Sequence, residues 1–179
     1  NKGIALAKGE FIGFLHSDDY YANNQVLYKI NKKINELTLD AIYGDANYID
    51  SNKSNKVVRR YSSKYFSPKY LEIGLMPAHE TLFVKKKIYD KIGLFNINFK
   101  IAGDFEWIVR AFYKRNMKYF YFPEVLINMN IRGVSTANLH NKLLIHKEIK
   151  KACDINNIPT NWFKLLLRYF FKLREYIQY

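Results

Sequence analysis

The chain has 179 residues, 49% of them hydrophobic, which is enough for one medium domain with a real core and excludes a disordered polar chain. Lys and Arg outnumber Asp and Glu by 29 to 16, so the net charge of +13 predicts attraction to polyanions such as nucleic acid, anionic lipid or phosphorylated substrates. Cys153 is the only cysteine, which excludes an internal disulfide and favours a core thiol in a reducing compartment. The sequence contains no run of about 18 uncharged apolar residues, so it predicts no transmembrane helix.

The chain opens with "NKGIALAKGEF", which lacks an initiator Met and predicts a helix ended by Gly9. A chain that starts inside a helix suggests that earlier residues are missing. "EFIGFLHS" then predicts a short strand buried on both faces, and Asp18 and Asp19 follow its carboxyl end. In open α/β sheets that edge binds ligands, so the two carboxylates are candidate functional groups.

The middle of the chain predicts alternating strands and helices. Pro123 lies inside "KYFYFPEVLINMN", so we expect a strand pair or a strand plus loop there. The Gly-containing "IRGVST" predicts a loop. The other predicted elements are a helix from Gln25 to Leu37, a strand over 40–50, a basic strand in "VVRRY", a strand and short helix over 79–95, and a helix over 104–115 with Arg110 outside its apolar face.

The last segment, "NWFKLLLRYFFKLREYIQY", predicts an amphipathic helix. Its aromatic and aliphatic stripe includes Phe163, Leu166 and Phe170, with Arg168 and Lys172 on the opposite side. Two interpretations stay open: the stripe lies at an anionic membrane surface, or it packs on the domain or on a partner.

Two interpretations of Asp18 and Asp19 follow from the residues alone. Paired carboxylates suit a hard divalent cation that neutralises a diphosphate, whereas adjacent aspartates are also common in turns and helix caps. Asp104 likewise starts a predicted helix, where a carboxylate caps the positive end.

The order of several motifs resembles a bacterial family 2 glycosyltransferase of the GT-A fold. The similar blocks, over roughly residues 1 to 140, are "NKGIALAKGEFIGFLHSDDYY", "YGD", "MPAHETLFVKKKIYDKIGLF", "AGDFEWIVR" and "RGVST". The resemblance implies an α/β fold with a partial GT-A, Rossmann-like mixed sheet flanked by helices. It implies inverting transfer of a sugar from a nucleotide-diphosphate sugar to the hydroxyl of a saccharide or lipid-linked saccharide.

The resemblance also implies site residues. Asp104 would be the catalytic base, Asp19 would bind Mg²⁺ or Mn²⁺, and Asp18 would bind the nucleotide ribose or the cation. His79 would line the acceptor side. Arg132 and Ser135 would lie near the donor diphosphate.

Three departures from the family pattern qualify this picture. His16 stands where many members carry an acidic residue, so its role stays open, and Gly103 stands where many carry Glu. The family's nucleotide-binding first half has no counterpart here, so we expect the chain alone to bind donor poorly. Asp45 in "YGD" is a weaker candidate, because a turn at the end of a strand explains it equally well.

We therefore predict a glycosyltransferase segment over 1–140 and a helical tail over 141–179. We expect it to act in the synthesis of surface polysaccharide or glycolipid, in the cytoplasm and peripherally on the inner face of a bacterial membrane. The alternatives are a nucleotidyltransferase of related fold, an inactive transferase, or a basic binding module. Nucleic acid is not an expected partner, because no nucleic-acid-binding motif occurs.

Overall fold

The structure is a computed structural model that describes residues 1–113, 115–131 and 139–177. Within them six strands form one mixed sheet, flanked by helices. The strands are β1 (Phe11–Ile12), β2 (Tyr20–Tyr21), β3 (Ala41–Asp50), β4 (Lys56–Tyr61), β5 (Phe83–Lys85) and β6 (Tyr119–Asn130). The α-helices are α1 (Lys2–Leu6), α2 (Val26–Leu37), α3 (Lys86–Ile92), α4 (Gly103–Phe112), α5 (Leu139–Ile155) and α6 (Trp162–Ile177), and short 3₁₀ helices span Ser51–Lys53, Pro68–Ile73 and His79–Thr81.

The centre of the sheet is β3, which pairs in parallel with β6 and antiparallel with β4 and β5. The order through the sheet is β1-β5-β3-β6-β2, with β4 on β3 beside this path. β3 and β6 approach closely at Gly44, where a Cβ would lie 2.7 Å from Leu126 Cγ and 2.8 Å from the Glu124 carbonyl oxygen. Glycine is therefore required there by packing, because any side chain would displace the neighbouring strand.

The fold confirms most of the predicted elements. α2 buries Val26, Ile30 and Ile34 on one face, as the periodicity indicates. The strand over 40–50, the basic strand, the strand and helix over 79–95, and the helix containing Asp104 are all present. Cys153 is fully buried, as expected for a core thiol, and burial raises the pKa of its thiol to about 12.

Two strand predictions were wrong. The "EFIGFLHS" segment forms only the two-residue β1, which pairs with β5 alone among the described strands and leaves Leu15 and His16 exposed. The segment around Pro123 is one continuous strand, β6, because Pro123 lies where β3 and β6 have a register irregularity and β6 needs no ladder bond.

The two terminal helices pack on the main core. Ile149 and Cys153 of α5 and Leu165 of α6 belong to the same hydrophobic cluster as Phe105 and Phe112 of α4. The described residues on both sides of position 140 thus share one core, and the boundary at 140 stays a prediction. No helix in the described part of the chain combines the length and hydropathy needed to cross a bilayer.

The orientation of α6 reverses what we expected of its basic residues. Leu165 and Arg168 face inward, with exposures of 0% and 7%, and Lys164 binds Glu72 at 2.9 Å. Most of the predicted apolar stripe faces outward instead, although Tyr169 contacts His146 of α5. Its exposed members include Trp162, Phe163, Leu166, Phe170 and Leu173.

Candidate active site

Asp104 lies in the first turn of α4, with its carboxylate held from two sides. Oδ1 accepts the N–H of Phe105 at 2.7 Å, and Oδ2 lies 3.1 Å from Nδ1 of His79. The Asp104 side chain is 23% exposed. The carboxylate is therefore oriented but still accessible, as a group that exchanges a proton with a substrate must be.

His79 connects Asp104 to the segment that contains the paired aspartates. Its Nδ1 also lies 3.3 Å from the Glu80 carboxylate, and its Nε2 lies 3.4 Å from Nε2 of His16. Two carboxylates at Nδ1 place the proton of a neutral His79 on that nitrogen, so its Nε2 has a free lone pair. The His79 ring thus presents this lone pair toward His16.

Asp18 and Asp19 lie in a turn closed by the Asp19 N–H, which donates to the His16 carbonyl oxygen at 3.2 Å. Asp18 is exposed, and Asp19 is partly buried with Oδ1 accepting the N–H of Asn130. Burial raises the pKa of Asp19, and the negative charge of Asp18 raises it further. The hydrogen bond from Asn130 and the rings of His16 and His79 lower this pKa, but the net shift is upward. Asp19 therefore lies within electrostatic reach of His16 and His79. A cation bound nearby would favour the charged form of the Asp19 carboxylate.

The residues fit a divalent cation. Ligand atoms of His16, His79 and Glu80 lie within 4.8 Å of one another, close enough to contact one cation. Oδ1 of Asn130, the residue that binds Asp19, is buried without a hydrogen-bond partner in the described part of the chain. This cluster contains neither Asp18 nor Asp19, the predicted cation ligands, and its donors are two imidazole nitrogens and the Glu80 carboxylate.

The loop before α4 is fixed by a buried carboxylate that the sequence did not indicate. Glu148 of α5 accepts the N–H groups of Lys100, Ile101 and Ala102 at 2.7, 2.9 and 2.8 Å. Burial by itself would raise the pKa of Glu148, but these three donors and Lys151 lower it overall. Since Ala102 is the N-terminal cap residue of α4, Glu148 fixes the start of the helix that carries Asp104.

Arg110, predicted to lie outside the apolar face of this helix, also has a structural role. Its guanidinium binds Glu106 at 2.7 Å and the carbonyl oxygens of Ile92 and Leu94 at 2.6 and 2.7 Å. These contacts join the end of α3 to α4. Arg110 therefore stabilises the helix that carries Asp104 and is only partly exposed.

Asp45 also has a different setting from the predicted turn. It lies within β3, is 1% exposed, pairs with Arg60 at 2.7 Å, and accepts hydrogen bonds from Ser63 and Tyr121. Burial and the Asp45 charge raise the pKa of Tyr121 to about 12. These partners give Asp45 a structural role between β3 and β4.

A cavity of about 190 Å³ adjoins the candidate base. Asp104, His79 and Glu80 line one part of it, and Arg168 and Lys172 of α6 also line it. Asp18 and Asp19 do not. Arg132 and Ser135 lie outside the described residues.

A protein-family comparison identifies the chain. The model for "Glycosyl transferase family 2" matches residues 1–103, more than half of the sequence. The chain belongs to glycosyl transferase family 2. The motifs from "SDD" to "PAHETLF" lie within this match, whereas Asp104 and "RGVST" lie beyond it.

Two curated relatives are uncharacterized glycosyltransferases of Rickettsia. The chain is 29% identical to one from Rickettsia prowazekii and 28% identical to one from Rickettsia typhi, each over 145 residues. The match covers 77% of this chain and 45% of each relative. This family 2 chain therefore spans about half the length of the curated relatives it matches.

The fold resembles that of Staphylococcus aureus TarS. A TarS crystal structure matches 95% of this chain and 50% of TarS with a TM-score of 0.54 and 16% identity. A TarS complex with UDP-GlcNAc matches 90% of this chain and 47% of TarS with a TM-score of 0.58 and 18% identity. At 16–18% identity the likeness concerns the fold alone, and it supports the predicted GT-A type of α/β fold for this family 2 chain.

Proposed function

We propose that this chain belongs to an inverting glycosyltransferase in which Asp104 is the catalytic base. The donor is a nucleotide-diphosphate sugar, and the acceptor is a hydroxyl of a saccharide or lipid-linked saccharide. The observation that carries the proposal is the oriented, accessible Asp104 carboxylate beside a cavity, in a chain of family 2.

Asp104 would remove the proton of the acceptor hydroxyl as that oxygen attacks the anomeric carbon from the face opposite the diphosphate. A base must reach hydrogen-bonding distance of the hydroxyl, which the accessible carboxylate permits. The His79 Nδ1–H, 3.1 Å from Oδ2, leaves the carboxylate fewer orientations. His79 therefore positions the base and lines the acceptor side.

We propose that Asp18 and Asp19 bind Mg²⁺ or Mn²⁺ with the nucleotide, and that Asp18 also reaches the ribose. His16 would add an imidazole nitrogen near Asp19 to these oxygen ligands. A bound cation would stabilise the negative charge that develops on the leaving diphosphate. In this proposal Arg132 and Ser135 contact the same diphosphate.

TarS has been crystallised with UDP-GlcNAc, which supports a nucleotide-diphosphate sugar as the donor class for this chain. The donor sugar and the nucleotide depend on residues that line the donor pocket. We propose a role in bacterial surface polysaccharide or glycolipid synthesis, because the apolar face of α6 and the net charge of +13 suit an acceptor at an anionic membrane.

The test uses the longest gene product that contains this chain, with a panel of nucleotide sugars and candidate acceptors. We expect acceptor-stimulated release of a nucleoside diphosphate that chelator abolishes and Mn²⁺ restores, because the cation balances the leaving-group charge. The measurement is chromatographic separation of nucleotide products, with the sugar product analysed for inversion at the anomeric carbon.

The products separate the proposal from its rivals. Release of pyrophosphate would identify a nucleotidyltransferase instead. Full turnover in the presence of chelator would contradict the cation site, and retention at the anomeric carbon would contradict Asp104 as a simple base.

We propose a membrane surface as the occupant of the exposed stripe on α6. Phe163, Leu166, Phe170 and Leu173 are 57–71% exposed on one helix, an arrangement that suits insertion at the headgroup level. In sedimentation with anionic vesicles we expect the protein to bind, and the double variant Phe163→Ser, Phe170→Ser to lose about 10-fold in affinity. Leu27→Ser and Tyr28→Ser on α2, also exposed, are the matched control. Equal binding by both variants, or none by the parent, would contradict the proposal.

A further inference from the structure

The cavity beside Asp104 contains a buried arginine whose charge has no counterion in the described part of the chain. Arg168 is 7% exposed, and its Nε and Nη1 atoms are buried without a hydrogen-bond partner there. The carboxylates of the same cavity, Glu80 and Asp104, pair with His79 instead. Arg168 is thus an enclosed cation on a wall of the candidate acceptor cavity.

Burial of a guanidinium without an ion-pair partner is costly, because desolvation removes its hydration. The Tyr169 ring, whose centroid lies 5.6 Å from Arg168 Cζ, replaces only part of that hydration. Desolvation lowers the pKa of Arg168, and Tyr169 and Tyr61 oppose this shift without reversing it. Its Nη1 lies 3.5 Å from the position of a Cβ at Gly74, so the end of the Pro68–Ile73 helix encloses it. An aliphatic side chain would fill this space at less cost if packing were its role.

The location of Arg168 relative to the candidate base indicates what it binds. Asp104 and Arg168 line one cavity of about 190 Å³, larger than the roughly 30 Å³ share of one water molecule. Asp18 and Asp19, the candidate donor and cation residues, do not line it. A molecule in the cavity would therefore meet the base and the buried cation together, apart from the paired aspartates.

We propose that Arg168 binds an oxyanion of the acceptor, so that the acceptor of this enzyme carries a phosphate or carboxylate close to the hydroxyl that receives the sugar. The proposal rests on the assignment of Asp104 as the base. A guanidinium suits either anion, because its planar fork donates two parallel hydrogen bonds. Lys172, which lines the same cavity, adds to the positive potential.

Binding of a simple anion tests the proposal without requiring turnover. Equilibrium dialysis of the longest gene product that contains this chain would use radiolabelled inorganic phosphate and radiolabelled acetate, which distinguish the two anion sources. We expect one of them to bind, Arg168→Gln to weaken it about 10- to 100-fold, and Arg168→Lys to retain part of it. Lys147→Gln removes an exposed cation from α5, outside the cavity lining, and should leave binding unchanged.

Further measurements separate an anion site from a structural role and from a donor site. Arg168→Met should be at least as stable to urea as the parent, because it removes a buried charge without a partner. Loss of stability in Arg168→Met, or equal anion binding by parent and Arg168→Gln, would overturn the proposal. Displacement of the anion by nucleoside diphosphate in an Arg168-dependent way would also overturn it, by assigning the site to the donor.

Kinetics distinguish failure of this inference from failure of the proposed function. In the first outcome sugar transfer occurs, and Arg168→Gln raises the KM for the acceptor but leaves kcat and the KM for the donor unchanged. This outcome supports both the anion site and the proposed function. If transfer occurs and Arg168→Gln changes neither the acceptor KM nor anion binding, the inference fails and the function stands. Arg168-dependent anion binding in a protein that transfers no sugar would retain the anion site and remove the acceptor assignment.

Discussion

Replacement of Asp104 by Asn lowers sugar transfer by about 10²–10⁴-fold, the usual contribution of a positioned general base. Asn keeps the size of the side chain and an oxygen that can accept the N–H of Phe105, so α4 still starts correctly. It cannot take the proton of an acceptor hydroxyl. The measurement is nucleoside diphosphate release and product formation under saturating donor and acceptor.

The effect belongs to kcat if Asp104 acts only on the reacting hydroxyl. The affinity for the donor should stay within about 2-fold of the parent, because the lost interaction is made only in the transition state and not in the complex with bound donor. Asp90→Asn is the matched control, because Asp90 is an exposed aspartate on α3. Retained turnover in folded Asp104→Asn would remove Asp104 from the chemistry and leave it the role of a helix cap.

Replacement of Glu148 by Gln destabilises the fold by about 2–4 kcal/mol at pH 7, because hydrogen bonds to a charged group are lost. The amide NH₂ of Gln would face backbone N–H donors of Lys100, Ile101 and Ala102 that now share a carboxylate. The loop before α4 would then loosen, and transfer would fall with it. Urea unfolding followed by circular dichroism measures the free energy.

The pH dependence of this effect has a defined sign. The pKa of Glu148 in the folded protein is below its ordinary value of 4.5, so its charged form adds stability above pH 4.5. That contribution disappears as pH falls below 4.5 and through the folded-state pKa. The difference in unfolding free energy between parent and Glu148→Gln should therefore shrink in acid, whereas a constant difference would contradict the role of the charge.

A matched substitution on the surface tests whether the effect is local. Glu36 on α2 pairs with Lys33 at 2.7 Å in an exposed position, and Glu36→Gln should change the unfolding free energy little. Equal effects of Glu148→Gln and Glu36→Gln would show that net charge, and not the loop before α4, is responsible.

The predicted site residues differ in how far local sequence could place them. Asp104 starts a helix whose periodicity is clear, so its position at the amino end of α4 follows from the pattern. The contact of His79 with His16 joins residues 63 positions apart, and that of Glu148 with Ala102 joins residues 46 positions apart. No local pattern encodes such contacts, because they depend on how separate elements pack.

The sequence alone determined the family, the order of most elements and the amphipathic character of α2 and α6, because these depend on local spacing and motif order. Only the tertiary structure decided which surface of each element is buried. An apolar run does not specify how many partner strands it has, and among the described strands the two-residue β1 pairs with β5 alone. Hydrophobic attraction has no direction, so the pattern of α6 could not show that Leu165 and Arg168 face the core while Phe163 and Phe170 stay exposed.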